Sequence, residues 1–136
     1  MIYIDTGAFL ARHLSKDQHH CQANIFWDSI RKRSETCVTS NFVLDETFTL
    51  LGRRAGYSFA AQRAGNIYAS ESLNILRPGR EDELKAIAFF EKYSDQRLSF
   101  TDCVSFVLMK SKKIKKVFTF DHHFQLAGFQ IYPRNK

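Results

Sequence analysis

A chain of 136 residues that is 44% hydrophobic along its whole length has apolar surface for one core, so residues 1–136 are expected to form a single domain. A formal charge of +6 favours polyanionic partners, because basic side chains placed on phosphates release counterions. Three cysteines with no C-x-x-C spacing, Cys21, Cys37 and Cys103, exclude a disulfide framework and a zinc knuckle and are expected to be reduced core thiols.

The chain opens on Met1-Ile2-Tyr3-Ile4-Asp5, which leaves no room for a signal peptide, and has no apolar run of about 18 residues to span a bilayer. A soluble cytoplasmic protein without membrane contact is expected. Ile2–Asp5 is the first of five β-like runs. Residues 21–33 follow as an amphipathic helix with Ile25, Phe26 and Ile30 on one stripe, and Thr36–Thr39 is the second strand. Residues 41–54, with Phe42, Val43, Leu50 and Leu51 at helical spacing, pair with 57–70 as a helical hairpin hinged at Ala55-Gly56. Leu73–Leu76 is the third strand. The turn Arg77-Pro78-Gly79 leads into a helix over 80–93 whose stripe is Leu84, Ile87, Ala88 and Glu91. Another helix, opened by Asp102, precedes the fourth strand, Lys116–Thr119. Between them the run Lys110-Ser111-Lys112-Lys113-Ile114-Lys115-Lys116 reads as cations at a helix C-terminus or as a nucleic-acid footprint. Phe129–Tyr132 is last. Phe124 to Gly128 is too short for a full crossover helix, so this strand is expected at an edge, parallel only if its connection is unusually tight. Alternating strands and helices with six Gly and two Pro predict an α/β fold with a parallel sheet covered on both faces.

Open α/β sheets bind ligands in the crevice beyond the carboxyl ends of their strands, which makes the acids at those ends the ones to count. Asp5 closes the first strand, Asp121 lies just past the fourth, Asp102 opens the helix before it, and Glu46 sits in the helix after the second. Each also has a plain structural role open to it: helix capping for Asp5 and for Asp102, which follows Ser99 at capping-box spacing, and an Asx-turn for Asp121. Glu46 lies among apolar neighbours, where an unpaired carboxylate is costly, and Asp45 beside it projects about 100° away. Four carboxylates in one cleft would repel one another. A hard divalent cation such as Mg²⁺ or Mn²⁺, which prefers oxygen ligands, would compensate them, and with a basic surface the natural substrate is a nucleic acid.

The acids in this order, carried by YIDTGAFLA (3–11), TSNFVLDETFTLL (39–51), SFTDCVSFVLM (99–109) and VFTFDHHF (117–124), resemble the PIN-domain ribonucleases, particularly VapC-like toxins of toxin–antitoxin pairs. The resemblance covers nearly the whole chain. It implies a PIN-like three-layer α/β/α fold with a five-stranded parallel sheet of order 3-2-1-4-5, and a Mg²⁺- or Mn²⁺-dependent endoribonuclease that hydrolyses phosphodiester bonds of RNA. Asp5, Glu46, Asp102 and Asp121 would then be the metal-binding catalytic acids, with Thr6, Ser99 and Thr119 as supporting polar groups and Asp95 a turn acid. An antitoxin that blocks the cleft and a homodimer through the 41–70 hairpin are implied partners. The alternative is a PIN-like module that binds RNA or protein without cutting.

Asp5-Thr6-Gly7-Ala8 also spells an aspartic-protease loop, but such folds are all-β and pair two of them. A haloacid-dehalogenase site wants a second acid where Gly7 stands, and a receiver site an acidic pair ahead of its central Asp. Asp121-His122-His123 invites a zinc site, yet no spacing in the chain matches a structural one, and the histidines are read as bystanders.

Overall fold

A computed structural model describes residues 1–134. The elements are β1 (Ile2–Ile4), α1 (Thr6–His13), α2 (His20–Lys32), β2 (Cys37–Ser40), α3 (Asn41–Ala55), α4 (Tyr57–Ala69), β3 (Leu73–Leu76), α5 (Arg80–Lys92), α6 (Phe100–Ser111), β4 (Lys116–Phe118), α7 (His123–Leu126) and β5 (Gln130–Tyr132). All five strands pair in parallel, in the order β3-β2-β1-β4-β5. This is the predicted sheet. The edge strand β5 is parallel too, through the tight connection that the sequence demanded: the four residues of α7 replace a full crossover helix.

Helices cover both faces, because alternate residues of β1 point to opposite sides. Tyr3 is fully buried and its hydroxyl lies 2.8 Å from Ser105 Oγ on α6. Ile4 pairs with Phe118, whose ring meets Phe26 and Trp27 of α2 on the other side. The uninterrupted buried run Cys103–Met109 makes α6 the most enclosed helix, and Phe106 at its centre packs against Phe124 and Phe129. Gly56, at φ +97°, joins α3 to α4 in a backbone conformation that favours glycine, which fixes the hairpin hinge where it was expected.

Two helical faces differ from expectation. Ile25 is 73% exposed; α2 turns Ala23, Phe26, Trp27 and Ile30 inward instead. On α5 the whole stripe Leu84, Ile87, Ala88 and Glu91 faces outward, and Ala86, Phe89 and Tyr93 make the contact. The reason is shape: Ala86 permits close approach, and Phe89 and Tyr93 reach Phe106. Cys37 and Cys103 are buried thiols, whereas Cys21 is exposed. No helix among the described residues is long and apolar enough to cross a membrane.

Candidate active site

β1 and β4 run side by side, so the residues that leave their carboxyl ends enter one space. A crevice of about 340 Å³ opens there. Its walls carry Asp5, Glu46, Asp102 and Asp121, four acids from four separate segments.

Asp5 occupies the N-cap position of α1, but its side chain makes no capping hydrogen bond. It turns toward β4, where Thr119 Oγ1 donates to Asp5 Oδ2 at 2.8 Å. The same Thr119 oxygen accepts the Asp121 amide at 3.0 Å, so one hydroxyl positions two of the acids. Asp102 combines both of its proposed roles. Its amide donates to Ser99 Oγ at 3.0 Å and its Oδ2 accepts the Ser99 amide at 3.1 Å, a capping box at the start of α6. One oxygen is thus engaged and Oδ1 is left for the crevice.

Asp121 forms the Asx-turn considered from its sequence, its Oδ1 accepting the His123 amide at 3.0 Å, while still lining the crevice. Glu46 is half-buried on the crevice wall and Asp45 faces solvent, as the 100° rotation between neighbours dictates. Asp95 is exposed and lies off the crevice.

The electrostatics reflect like charges gathered in a partly buried cleft. Burial, then the negative charge of Asp102, raise the Asp5 pKa well above the carboxylate range, against the opposing hydrogen bond from Thr119. Asp102 is raised as well, by burial first and then by Asp121 and Glu46, although its bonds to Ser99 pull the other way. Thr6 Oγ1, on the same wall, is buried with no hydrogen-bond partner. Clustered carboxylates, with Asp5 and Asp102 raised, and an orphaned hydroxyl suit an oxygen-ligand cation site. The donor set fits a hard divalent cation.

His122 and His123 are less remote from such chemistry than their sequence suggested. With Asp121 they bring one ligand-capable atom each within 4.8 Å of one another, and His123 Nδ1 lies 2.6 Å from Asp121 Oδ1. The lysine run is at the other end of the sheet: Lys116 begins β4, whereas Asp121 follows its far end. There Lys116 pairs with Glu35 and Lys110 Nζ sits 4.9 Å from the Phe89 ring centroid. Placement therefore favours the helix-terminus reading of these lysines over contact with a ligand in the crevice.

Sequence reasoning missed three residues beside the acids. Arg97 and Phe120 line the crevice, and the His19 ring stacks on Phe120 with centroids 4.1 Å apart. None lies on a periodic face. The nearest signal for Arg97 was its place two residues before the Ser99 cap.

The family model for the PIN domain matches residues 2–130. The chain is 34% identical over 129 residues to the 23S rRNA-specific endonuclease VapC20 of Mycobacterium tuberculosis, covering 95% of each protein. It is 30% identical over 125 residues to the VapC ribonuclease of Archaeoglobus fulgidus, covering 90% of this chain and 78% of that one. The crystal structure of M. tuberculosis VapC20, described as a sarcin–ricin loop cleaving toxin, superposes with a TM-score of 0.88 at 32% identity, over 96% of this chain and 97% of that one. A chain of a Klebsiella pneumoniae toxin–antitoxin complex shares the fold, at a TM-score of 0.58 and 13% identity over 90% of this chain and 88% of that one. The chain belongs to the PIN domain family and is a homologue of the VapC ribonucleases.

Proposed function

We propose that the protein is a divalent-metal-dependent endoribonuclease, the toxin of a toxin–antitoxin pair, with ribosomal RNA as its first candidate substrate. The observation that carries this reading is the convergence of Asp5, Glu46, Asp102 and Asp121 on one crevice, in a chain alignable almost end to end with an rRNA endonuclease.

Asp5 and Asp102 would be the principal ligands for Mg²⁺ or Mn²⁺, Glu46 and Asp121 would assist, and Thr6, Ser99 and Thr119 would hold or complete the set. A divalent cation there would supply Lewis acidity, lowering the pKa of a water and offsetting phosphate charge. The chain's own contribution is orientation. Thr119 fixes Asp5 and Asp121 relative to each other, and the Ser99 box fixes Asp102 against the first turn of α6. Glu46, with the freest carboxylate of the set, can take a proton from an attacking water.

The test is incubation of purified protein with a panel of RNAs, including a ribosomal RNA fragment, with Mg²⁺ or Mn²⁺ and with EDTA. Cleavage that EDTA stops, leaving 5′-phosphate and 3′-hydroxyl ends, is expected. A 2′,3′-cyclic phosphate end would overturn water as the nucleophile, and metal-loaded protein that cuts nothing in the panel would favour a non-cleaving binding module.

A cognate antitoxin is expected to cover the acidic crevice. The 41–70 hairpin, which exposes Tyr57 and Tyr68, is the proposed homodimer surface; α5, with Leu84, Ile87 and Phe90 exposed, is the competing one. Sedimentation over a concentration series should show a dimer that Tyr68→Glu dissociates. A strict monomer at high concentration removes the dimer, and a dimer broken only by Ile87→Glu moves it to α5.

A further inference from the structure

Arg97 contributes the cationic side chain on a crevice wall that otherwise carries four acids. Among the described residues it makes no ion pair with any of them. Its backbone is held at φ +57°, a region that non-glycine residues enter uncommonly, between Leu98, which is buried, and the preceding turn. Two residues later Ser99 is locked to Asp102 by the capping box. An exposed arginine is therefore presented at the crevice from a short segment anchored on both a core side chain and a helix cap.

Four carboxylates around a single divalent cation would leave the crevice net negative, which would repel a phosphodiester. A substrate of that charge needs a cation outside the ligand set, and a guanidinium suits it, because its planar donors match two phosphate oxygens at once. We propose that Arg97 binds a non-bridging phosphate oxygen of the RNA at or next to the scissile bond, a substrate-contacting residue that the four acids do not provide. This rests on the nuclease reading of the crevice, since both place a phosphodiester there.

The test compares wild type with Arg97→Ala, Arg97→Lys and Arg97→Gly, the last of which frees the left-handed backbone and separates charge from conformation. Lys112→Ala, at the far end of the sheet, controls for net charge. Cleavage of a defined RNA is measured with Mg²⁺, and binding of the same RNA is measured with Ca²⁺ across a salt series. Arg97→Ala and Arg97→Gly should each lower kcat/KM by about 100-fold, with Lys recovering about tenfold of it. The plot of log affinity against log salt should flatten by about one phosphate contact. In Arg97→Ala neither the Mn²⁺ affinity by calorimetry nor the Tm should fall, as both would if the residue were merely structural. Wild-type cleavage with Arg97→Ala within threefold of it overturns the proposal and leaves the nuclease reading standing. A wild type that binds RNA through Arg97 without cutting it overturns the nuclease reading and the scissile-bond placement, and upholds the phosphate contact. Loss of Mn²⁺ affinity in Arg97→Ala, or equal loss of RNA affinity in Lys112→Ala, also overturns the proposal.

Discussion

Asp5→Asn is expected to lower RNA cleavage by about a thousandfold or more while raising the Tm of the metal-free protein. The two effects share a cause. Asp5 is 5% exposed and adjoins Asp102 and Asp121, so its negative charge is opposed by burial and by its neighbours together. Asparagine reproduces the shape of the protonated acid and keeps an oxygen to accept from Thr119, so the fold loses little. It also removes an acid that the metal-free fold must at a cost either keep protonated or bury charged, and functional sites commonly trade stability in this direction. A gain of about 1 kcal/mol would raise the Tm by roughly 4 °C in a chain of this size. With saturating Mg²⁺ the order reverses, because wild type gains ligand-linked stability that the variant lacks. Thermal scans with and without metal, paired with cleavage assays, check both halves. Retention of a tenth of wild-type activity would remove Asp5 from the site, and a lower metal-free Tm would contradict the account of its buried carboxyl.

The strands were legible in the sequence because each is short, apolar and followed by a helix or turn signal. Their ends were not: β1 stops at Ile4 rather than Asp5, and β4 at Phe118 rather than Thr119. Those two boundary residues have left the ladder to meet each other across the crevice, a contact made over 114 positions of sequence. The acids could be grouped because ligands of open α/β sheets sit beyond the carboxyl ends of the strands; that β1 and β4 are neighbours was implied by the family resemblance and not by the alternation itself. Helix faces were less readable. The α5 sequence offers two apolar stripes, and only the position of Phe106 on another helix decides that Phe89 and Tyr93 face inward while Leu84 and Ile87 face out. Arg97 was invisible for a different reason: a residue at φ +57° in an irregular segment belongs to no period, and composition had assigned positive charge to the lysine run instead.

Metal-free protein is expected to lose stability as the pH rises from about 6.5 to 8, and divalent metal is expected to abolish the loss. A carboxylate of ordinary pKa has finished ionising well below this range in the unfolded chain. Asp5, in contrast, is pushed up to about 8 in the folded protein, mainly by burial and then by Asp102. The folded state therefore holds more protons than the unfolded state across the window, and stability falls with rising pH by linkage. Its contribution is fully present below the unfolded carboxylate pKa and is lost as the pH passes through the folded value. Two groups of opposite sign lie lower. His13 is pushed down to about 4 by burial and by Arg12 and Arg63, so its contribution grows as the pH rises toward the ordinary histidine value. Glu35 is lowered by its bond from Lys116 and loses its contribution only in acid. Just above pH 6.5 the last of the His13 gain and the last of the Asp102 loss, its carboxyl being pushed up to about 6 by burial, oppose each other, and the Asp5 effect dominates the window, worth on the order of 1–2 kcal/mol and so several degrees of Tm. Metal binding requires the deprotonated acids, so the Tm increment from 5 mM Mn²⁺ should be larger at pH 8 than at pH 6.5. Asp5→Asn should flatten the metal-free profile and abolish the pH dependence of the increment. A wild-type Tm that rises across this window without metal, or an increment that shrinks with pH, would contradict the assignment of the buried proton to the Asp5–Asp102 pair.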